Sequence, residues 1–357
     1  MPKKITRKLL DWYDRHHRDL PWRVPPDAIR SGIKPDPYRV WLSEIMLQQT
    51  TVEAVRKYFL AFIKAWPTVA DLASAHEEDV LKAWAGLGYY SRARNLKRAA
   101  DAVMRDHGGR FPPSQAELST LPGVGRYTSA AIASIAFSEA AAVVDGNVER
   151  VVTRLEAIST PLPAAKVAVY AYVESILPKD RPGDFAQACM DLGATICTPR
   201  KPKCILCPLR DDCAALKLGD PERFPVKLAK AAKPLRKGAA FVAVRRDGAV
   251  LLTKRADKGL LAGMSTIPTN GWTARQDGST DQSDAPFESD WRHCGAVRHV
   301  FTHFELELSV FCAQTSAKAA DRHWWSSADD LPHEALPTVF KKAIELALPD
   351  AMRKVLL

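Results

Sequence analysis

The spacing of apolar positions predicts two kinds of structure along this chain. Between Tyr38 and Trp66, Val40, Ile45, Leu47, Val52, Val55, Phe59 and Phe62 fall near helical spacing, and Pro67 ends the segment. Thr68 then predicts an N-cap for "TVADLASAHEEDVLKAW". "GLGYYSRARNLKRAADAVMRDHGG" reads as a glycine-broken turn and a basic helix closed by Gly108 and Gly109. Ser114 predicts a cap for the short helix "SQAELSTL". From Leu121, "LPGVGRYTSAAIASIAF" sets two glycines just before a long helix of small apolar residues. Residues 1–217 show neither strand alternation nor an internal repeat, so this region is expected to be all-α.

The period then changes. Residues 218–238 are rich in Lys, Ala and Pro and predict a linker. "AAFVAVRRDGAVLLTKR" gives two β-type runs around Asp247-Gly248, a hairpin signal. "GAVRHVFTHFELELSVFCA" alternates as strand again, and the polar stretch 273–286 predicts a loop. The expectation is a multidomain chain with an all-α region over 1–217 and an α+β domain over 239–357.

Composition narrows the partner. The 357 residues suffice for two or three domains. There are 51 Lys and Arg against 41 Asp and Glu, a formal net charge of +10, which favours a polyanion such as nucleic acid. Much of the surplus lies in residues 1–100, with 18 basic against 11 acidic side chains, whereas 101–217 balance at 13 and 13. No apolar run approaches the ~18 residues of a membrane helix. The basic N-terminus lacks the apolar core of a secretory signal. The expected setting is therefore a reducing one, the cytoplasm of a bacterium with use at the nucleoid, where clustered cysteines suggest metal before disulfide.

"CTPRKPKCILCPLRDDC" spaces Cys197, Cys204, Cys207 and Cys213 as C-x6-C-x2-C-x5-C. Structural zinc sites more often pair two C-x2-C knuckles, and four cysteines with one knuckle and long flanks suit a [4Fe–4S] cluster, with zinc as the alternative. Cys189 reads as a core thiol, and Cys294 and Cys312 have no partners at ligand spacing. In "LPGVGRYTS", backbone N–H groups of Gly123, Val124 and Gly125 at the start of a helix could meet a DNA phosphate; a tight turn between helices needs no ligand and is the alternative. Two carboxylates in unlike settings suit glycosidic bond cleavage, and Glu44 lies in an apolar helix that would keep it protonated; taken alone, a Glu there more often partners an Arg or Tyr in the core, which is the alternative.

A helix-hairpin-helix, "VDGNVERV" and the cysteine spacing together resemble the endonuclease III superfamily of DNA base-excision glycosylases. "PWR", "WLSEIMLQQTTV" and "GLGYYSRARNL" narrow the resemblance to the adenine DNA glycosylases, the MutY family, over about residues 8–217 and more faintly over 239–345. The resemblance implies that Glu44 protonates adenine N7 and handles the water, that Asp145 stabilises the sugar cation, and that Asn147 positions it. Superfamily members that also cut the strand carry a lysine where this chain has Tyr127, so a monofunctional enzyme is implied, leaving an abasic site. By the same resemblance Arg18, Leu20, Trp22 and Arg23 belong to the adenine pocket. Gln49 and Thr50 lie near the opposite strand, and Leu87 and Tyr89 wedge beside the opposite base of a flipped adenine.

The second domain resembles a Nudix fold without its glutamate-rich catalytic box, which implies recognition rather than hydrolysis. "VFTHFELEL" places Phe301, Thr302 and His303 at 8-oxoguanine; Thr302 stands where the family often has Ser. "GMSTIPT" and the long loop 24–37 depart from the family pattern. The expected partner is double-stranded DNA with A:8-oxoG or A:G mismatches, bound by a monomer. Another glycosylase of the superfamily and a non-catalytic DNA-binding iron–sulfur protein are the rival readings.

Overall fold

The computed structural model describes residues 2–228, 232–256, 259–316 and 318–352. They form two compact units: residues 1–76 with 92–229, and residues 77–91 with 230–357. In this division residues 77–91 group with the second unit.

The first unit is helical. Its principal helices are α1 (Pro2–His16), α2 (Pro37–Leu47), α3 (Val52–Ala65), α4 (Ser91–His107), α5 (Arg126–Phe137), α6 (Gly146–Leu155), α7 (Lys166–Ile176) and α8 (Pro182–Thr195). The periodic run 38–66 is two helices rather than one. Gln49 takes a left-handed φ of 57°, and the Thr51 hydroxyl accepts from Ala54 N–H to start α3. Apolar spacing continues across the break, so periodicity alone conceals it. Thr68 forms a capping box with Asp71, and the Ser114 hydroxyl accepts from Glu117 N–H.

The core of this unit lies around α8, which is buried from Pro182 to Gly193 and packs against α1, α5 and α6. In α5 the side chains from Thr128 to Ser134 are all buried. Their small size lets the helix lie close to both α2 and α8. Val148, Val152 and Leu155 of α6 complete the cluster with Leu9 and Phe185. Each such side chain contributes about 1.5–3 kcal/mol relative to exposure.

The second unit is built on a mixed sheet. β1 (Leu235–Val244), β2 (Val250–Lys254), β3 (Ser265–Thr266), β4 (Arg292–Val300), β5 (Glu305–Gln314) and β6 (His323–Ser326) run in the order β3-β2-β1-β5-β4, with β6 on β2. The hairpin at Asp247-Gly248 forms as expected: Gly248 takes φ 84° and Val244 opposes Val250. β1 and β5 pair in parallel, Leu235 opposite Glu305 through Val244 opposite Gln314. Alternation along β1 sends Ala240, Val242 and Val244 to the core shared with α9 (Thr338–Ala347), and Ala239, Phe241 and Ala243 to a second cluster with Trp291. Residues 273–286 are irregular, as expected.

The predicted linker 218–238 is shorter than its composition suggests. Phe224 is buried, Leu162 bridges Lys227, and Leu235 already opens β1. Cys294 and Cys312, unpartnered at ligand spacing, are joined to each other by a disulfide across β4 and β5. Among the described residues no helix is long and apolar enough to cross a membrane.

Candidate active site and iron–sulfur loop

Glu44 sits on α2 among Trp41, Leu42, Ser43, Ile45 and Met46, all buried. It faces a cleft of about 1210 Å³ within the first unit, and Tyr127, Asp145 and Asn147 line the same cleft. Arg18, Leu20, Trp22, Arg23, Gln49, Thr50, Gly123 and Gly125 join them. The chain thus brings together residues from α2, α5, the start of α6 and the 18–23 segment.

The Tyr127 hydroxyl donates to Glu44 Oε2 at 2.7 Å. Burial pushes the Glu44 carboxyl up to about 7, against the Tyr127 hydrogen bond and the Arg23 charge and with the help of Asp145. Burial and the adjacent Glu44 hold the Tyr127 phenol well above its ordinary range.

Asp145 is the N-cap of α6. Its Oδ1 accepts from the N–H groups of Asn147 at 2.9 Å and Val148 at 2.8 Å, and its Oδ2 accepts from Asn147 Nδ2 at 2.8 Å. A carboxylate there also meets the positive end of the helix dipole. Asn147 Oδ1 in turn accepts from Arg150, which also donates to the carbonyls of Gly193 and Cys197. A Cβ on Gly193 would stand 2.6 Å from Asn147 Cβ, so the close approach of α8 to this cap requires glycine.

Arg18 and Arg23 converge on Asp191 of α8, whose side chain is fully buried. Asp191 accepts from the Arg18 N–H at 2.9 Å and Nε at 2.6 Å, and from Arg23 at 2.9 and 2.8 Å. Sequence reasoning passed over Asp191, Arg150 and Gln187, another buried α8 residue at the cleft. It also passed over Gln48, which donates to Thr128. The only signal was their position beside recognised motifs.

In the hairpin, Gly123 adopts φ +75°, and a Cβ there would meet Asn95 Cβ at 2.7 Å. Gly125 is extended at φ −88° and caps α5, with open space where a Cβ would stand. The N–H of Val124 is taken by the Leu121 carbonyl, and its side chain is buried. Trp22 and Leu20 are buried, with Trp22 edge-on to Phe59. Gln49 is exposed, and Thr50 accepts from Arg92.

Of the two expected wedge residues, in the 77–91 segment, Tyr89 is half exposed at φ 50° and Leu87 is buried. In the second unit Phe301 stacks on Phe304 at 4.7 Å, while Thr302 and His303 are exposed. The loop 24–37 holds a short helix, Pro26–Arg30, tied to α1 by Arg30 and Asp14.

The four cysteines of the 197–213 loop form no disulfide, and Cys197, Cys207 and Cys213 pack against one edge of the first core. Burial pushes the Cys207 thiol up to about 12, and the sulfurs of Cys197, Cys213 and Cys204 add to it. Among the described residues no three His, Cys, Asp or Glu side chains gather as they would around a single ion. Four cysteine thiols supply one ligand for each iron of a cube, so the donor set fits a [4Fe–4S] cluster. Arg154 donates to Cys197 Sγ at 3.3 Å and to the carbonyls of Thr198, Pro199 and Phe224, which frames the loop.

Residues 42–177 match the HhH-GPD superfamily of base excision DNA repair proteins, 197–213 the iron-sulfur binding domain of endonuclease III, and 239–346 the NUDIX domain. The adenine DNA glycosylase of Homo sapiens is 36% identical over 359 residues, taking in 85% of this chain and 65% of its own length. That of Rattus norvegicus is 35% identical over 403 residues, 96% of this chain and 77% of its own. A solved thermostable thymine-DNA glycosylase superposes with a TM-score of 0.54 at 32% identity, covering 61% of this chain and 97% of that one. The chain belongs to the adenine DNA glycosylase family, base-excision repair enzymes with a [4Fe–4S] loop and a Nudix-like second domain.

Proposed function

We propose that this chain releases adenine mispaired with 8-oxoguanine, or with guanine, from double-stranded DNA and leaves an abasic site. The observation that carries the reading is the pairing of unlike carboxyls in one cleft. Glu44 is buried and holds its proton to about pH 7, while Asp145 is bonded to three donors at a helix start. A carboxyl that titrates near working pH suits general acid catalysis. Glu44 protonates the departing adenine and then orients water; Asp145 faces the positive charge that develops on the sugar. Tyr127 cannot form an imine, so the strand stays intact. The cluster takes no part in bond cleavage; Cys197, Cys204, Cys207 and Cys213 hold it, and it would order the basic loop on the phosphates.

In this reading the adenine is flipped into the cleft, with Arg18, Leu20, Trp22 and Arg23 as its wall. Gly123 and Gly125 present the hairpin to a phosphate, with Val124 as its buried anchor, and Gln49, Thr50, Leu87 and Tyr89 attend the opposite strand. The regions divide as 1–217 for excision and 239–357 for recognition, where Phe301, Thr302 and His303 read 8-oxoguanine. The enzyme acts as a monomer in the bacterial cytoplasm.

An end-labelled duplex with one A opposite 8-oxoguanine, incubated with and without alkali, tests this. Breaks that need alkali support adenine release without strand cleavage. The first unit's likeness to a thymine-DNA glycosylase makes T:G the companion substrate, and preference for it would overturn the adenine assignment.

A further inference from the structure

We propose that Asp191 is a positioning residue of the glycosylase reaction, which clamps Arg18 and Arg23 into the cleft wall and balances the Arg23 charge that faces Glu44. The inference rests on the function proposed above.

Asp191 is fully buried, and a buried carboxylate persists only when it is paired and bonded. Among the described residues, its four accepted side-chain hydrogen bonds meet that demand and come from Arg18 and Arg23. The Arg23 side chain is 9% exposed, and Asp191 raises its hold on the proton against the cost of burial. Arg23 also acts on Glu44, favouring the carboxylate. Asp191 therefore stands behind the cation that opposes protonation of Glu44.

The other groups facing Glu44 are Tyr127 from α5 and Asp145 at the head of α6. Tyr13 from α1 lies beside Arg23 and Asp191, and Asp184 adds negative charge there. None of these donates to Asp191 in place of the two arginines.

Opposite effects follow for the two partners. Asp191→Asn leaves Arg23 unbalanced, which lowers the pH at which Glu44 loses its proton. Arg23→Gln removes the cation and raises it. Asp191→Glu keeps the balancing charge at some cost in geometry. A role confined to folding would slow all three without moving their pH dependence.

The experiment is single-turnover adenine release on an A:8-oxoG duplex across pH on both sides of neutrality, with the visible absorbance of the cluster as a check of folding. The alkaline limb is expected to move down by about one pH unit in Asp191→Asn, to move up by a similar amount in Arg23→Gln, and to stay in Asp191→Glu. A slower Asp191→Asn with the limb unmoved overturns the proposal. So does an Arg23→Gln limb that stays or moves down, which decides the matter even if Asp191→Asn does not fold. The Glu44 carboxyl, titrated by NMR in glutamate-labelled protein and assigned with Glu44→Gln, reports the same shifts without turnover. If the wild type releases no adenine while those shifts appear, the functional reading fails and the charge relation stands.

Discussion

Tyr127 and Glu44, 83 residues apart in sequence, are joined by a 2.7 Å hydrogen bond in which the phenol donates. The bond favours the carboxylate and so works against the burial that keeps Glu44 protonated. Tyr127→Phe should therefore shift the alkaline limb of adenine release upward. A pH–rate profile that does not move would mean the bond has no hold on this proton.

Glu44 should also make the fold less stable at alkaline pH. Its carboxyl goes from an ordinary 4.5 to about 7 in the folded protein. Between those values the unfolded chain has released a proton that the folded chain keeps, so stability falls as pH rises and is level above 7. Glu44→Gln removes this slope. The variant should be inactive, equal to wild type in stability near pH 4, and about 3 kcal/mol more stable near pH 8. Urea unfolding at the two pH values measures the difference.

Tyr127→Lys puts an amine beside the same carboxyl. Borohydride should trap this variant on abasic DNA and leave the wild type free, and strand breaks should appear without alkali. A wild-type adduct would end the monofunctional reading.

Gly193→Ala should injure catalysis from outside the cleft. Its Cβ would meet Asn147 Cβ at 2.6 Å and push the Asp145 cap aside. Overpacking of this kind costs about 1–3 kcal/mol. Adenine release should fall at least tenfold while duplex affinity stays close to wild type, as gel shift and single-turnover assays would record.

Arg154→Leu removes four donated hydrogen bonds, one to Cys197 Sγ and three to carbonyls of Thr198, Pro199 and Phe224. Iron content per chain should drop well below that of the wild type after purification. Full iron occupancy would show that the loop holds its cluster without this frame.

What the sequence made readable was local or dense in signal. Thr68 and Ser114 cap helices within three residues of their partners, and the Asp247-Gly248 hairpin closes on itself. The cysteine spacing is a self-contained motif. Asp191 could not be read this way, because its partners lie 168 and 173 positions away and only folding joins them. The break at Gln48–Thr51 was hidden because apolar spacing runs through it. Leu87 and Tyr89 are alike as turn residues in the sequence, yet one is buried and the other displayed.

The segment that leads into the second unit also supports its 301–303 loop. Lys233 Nζ donates to the Phe301 carbonyl at 2.7 Å, Glu305 N–H donates to the Pro234 carbonyl, and Leu235 opposes Glu305 in the parallel β1–β5 pair. The entry to β1 thus fastens the 301–303 loop on both of its sides, and replacing Lys233 should loosen that loop while leaving the β1–β5 pairing in place.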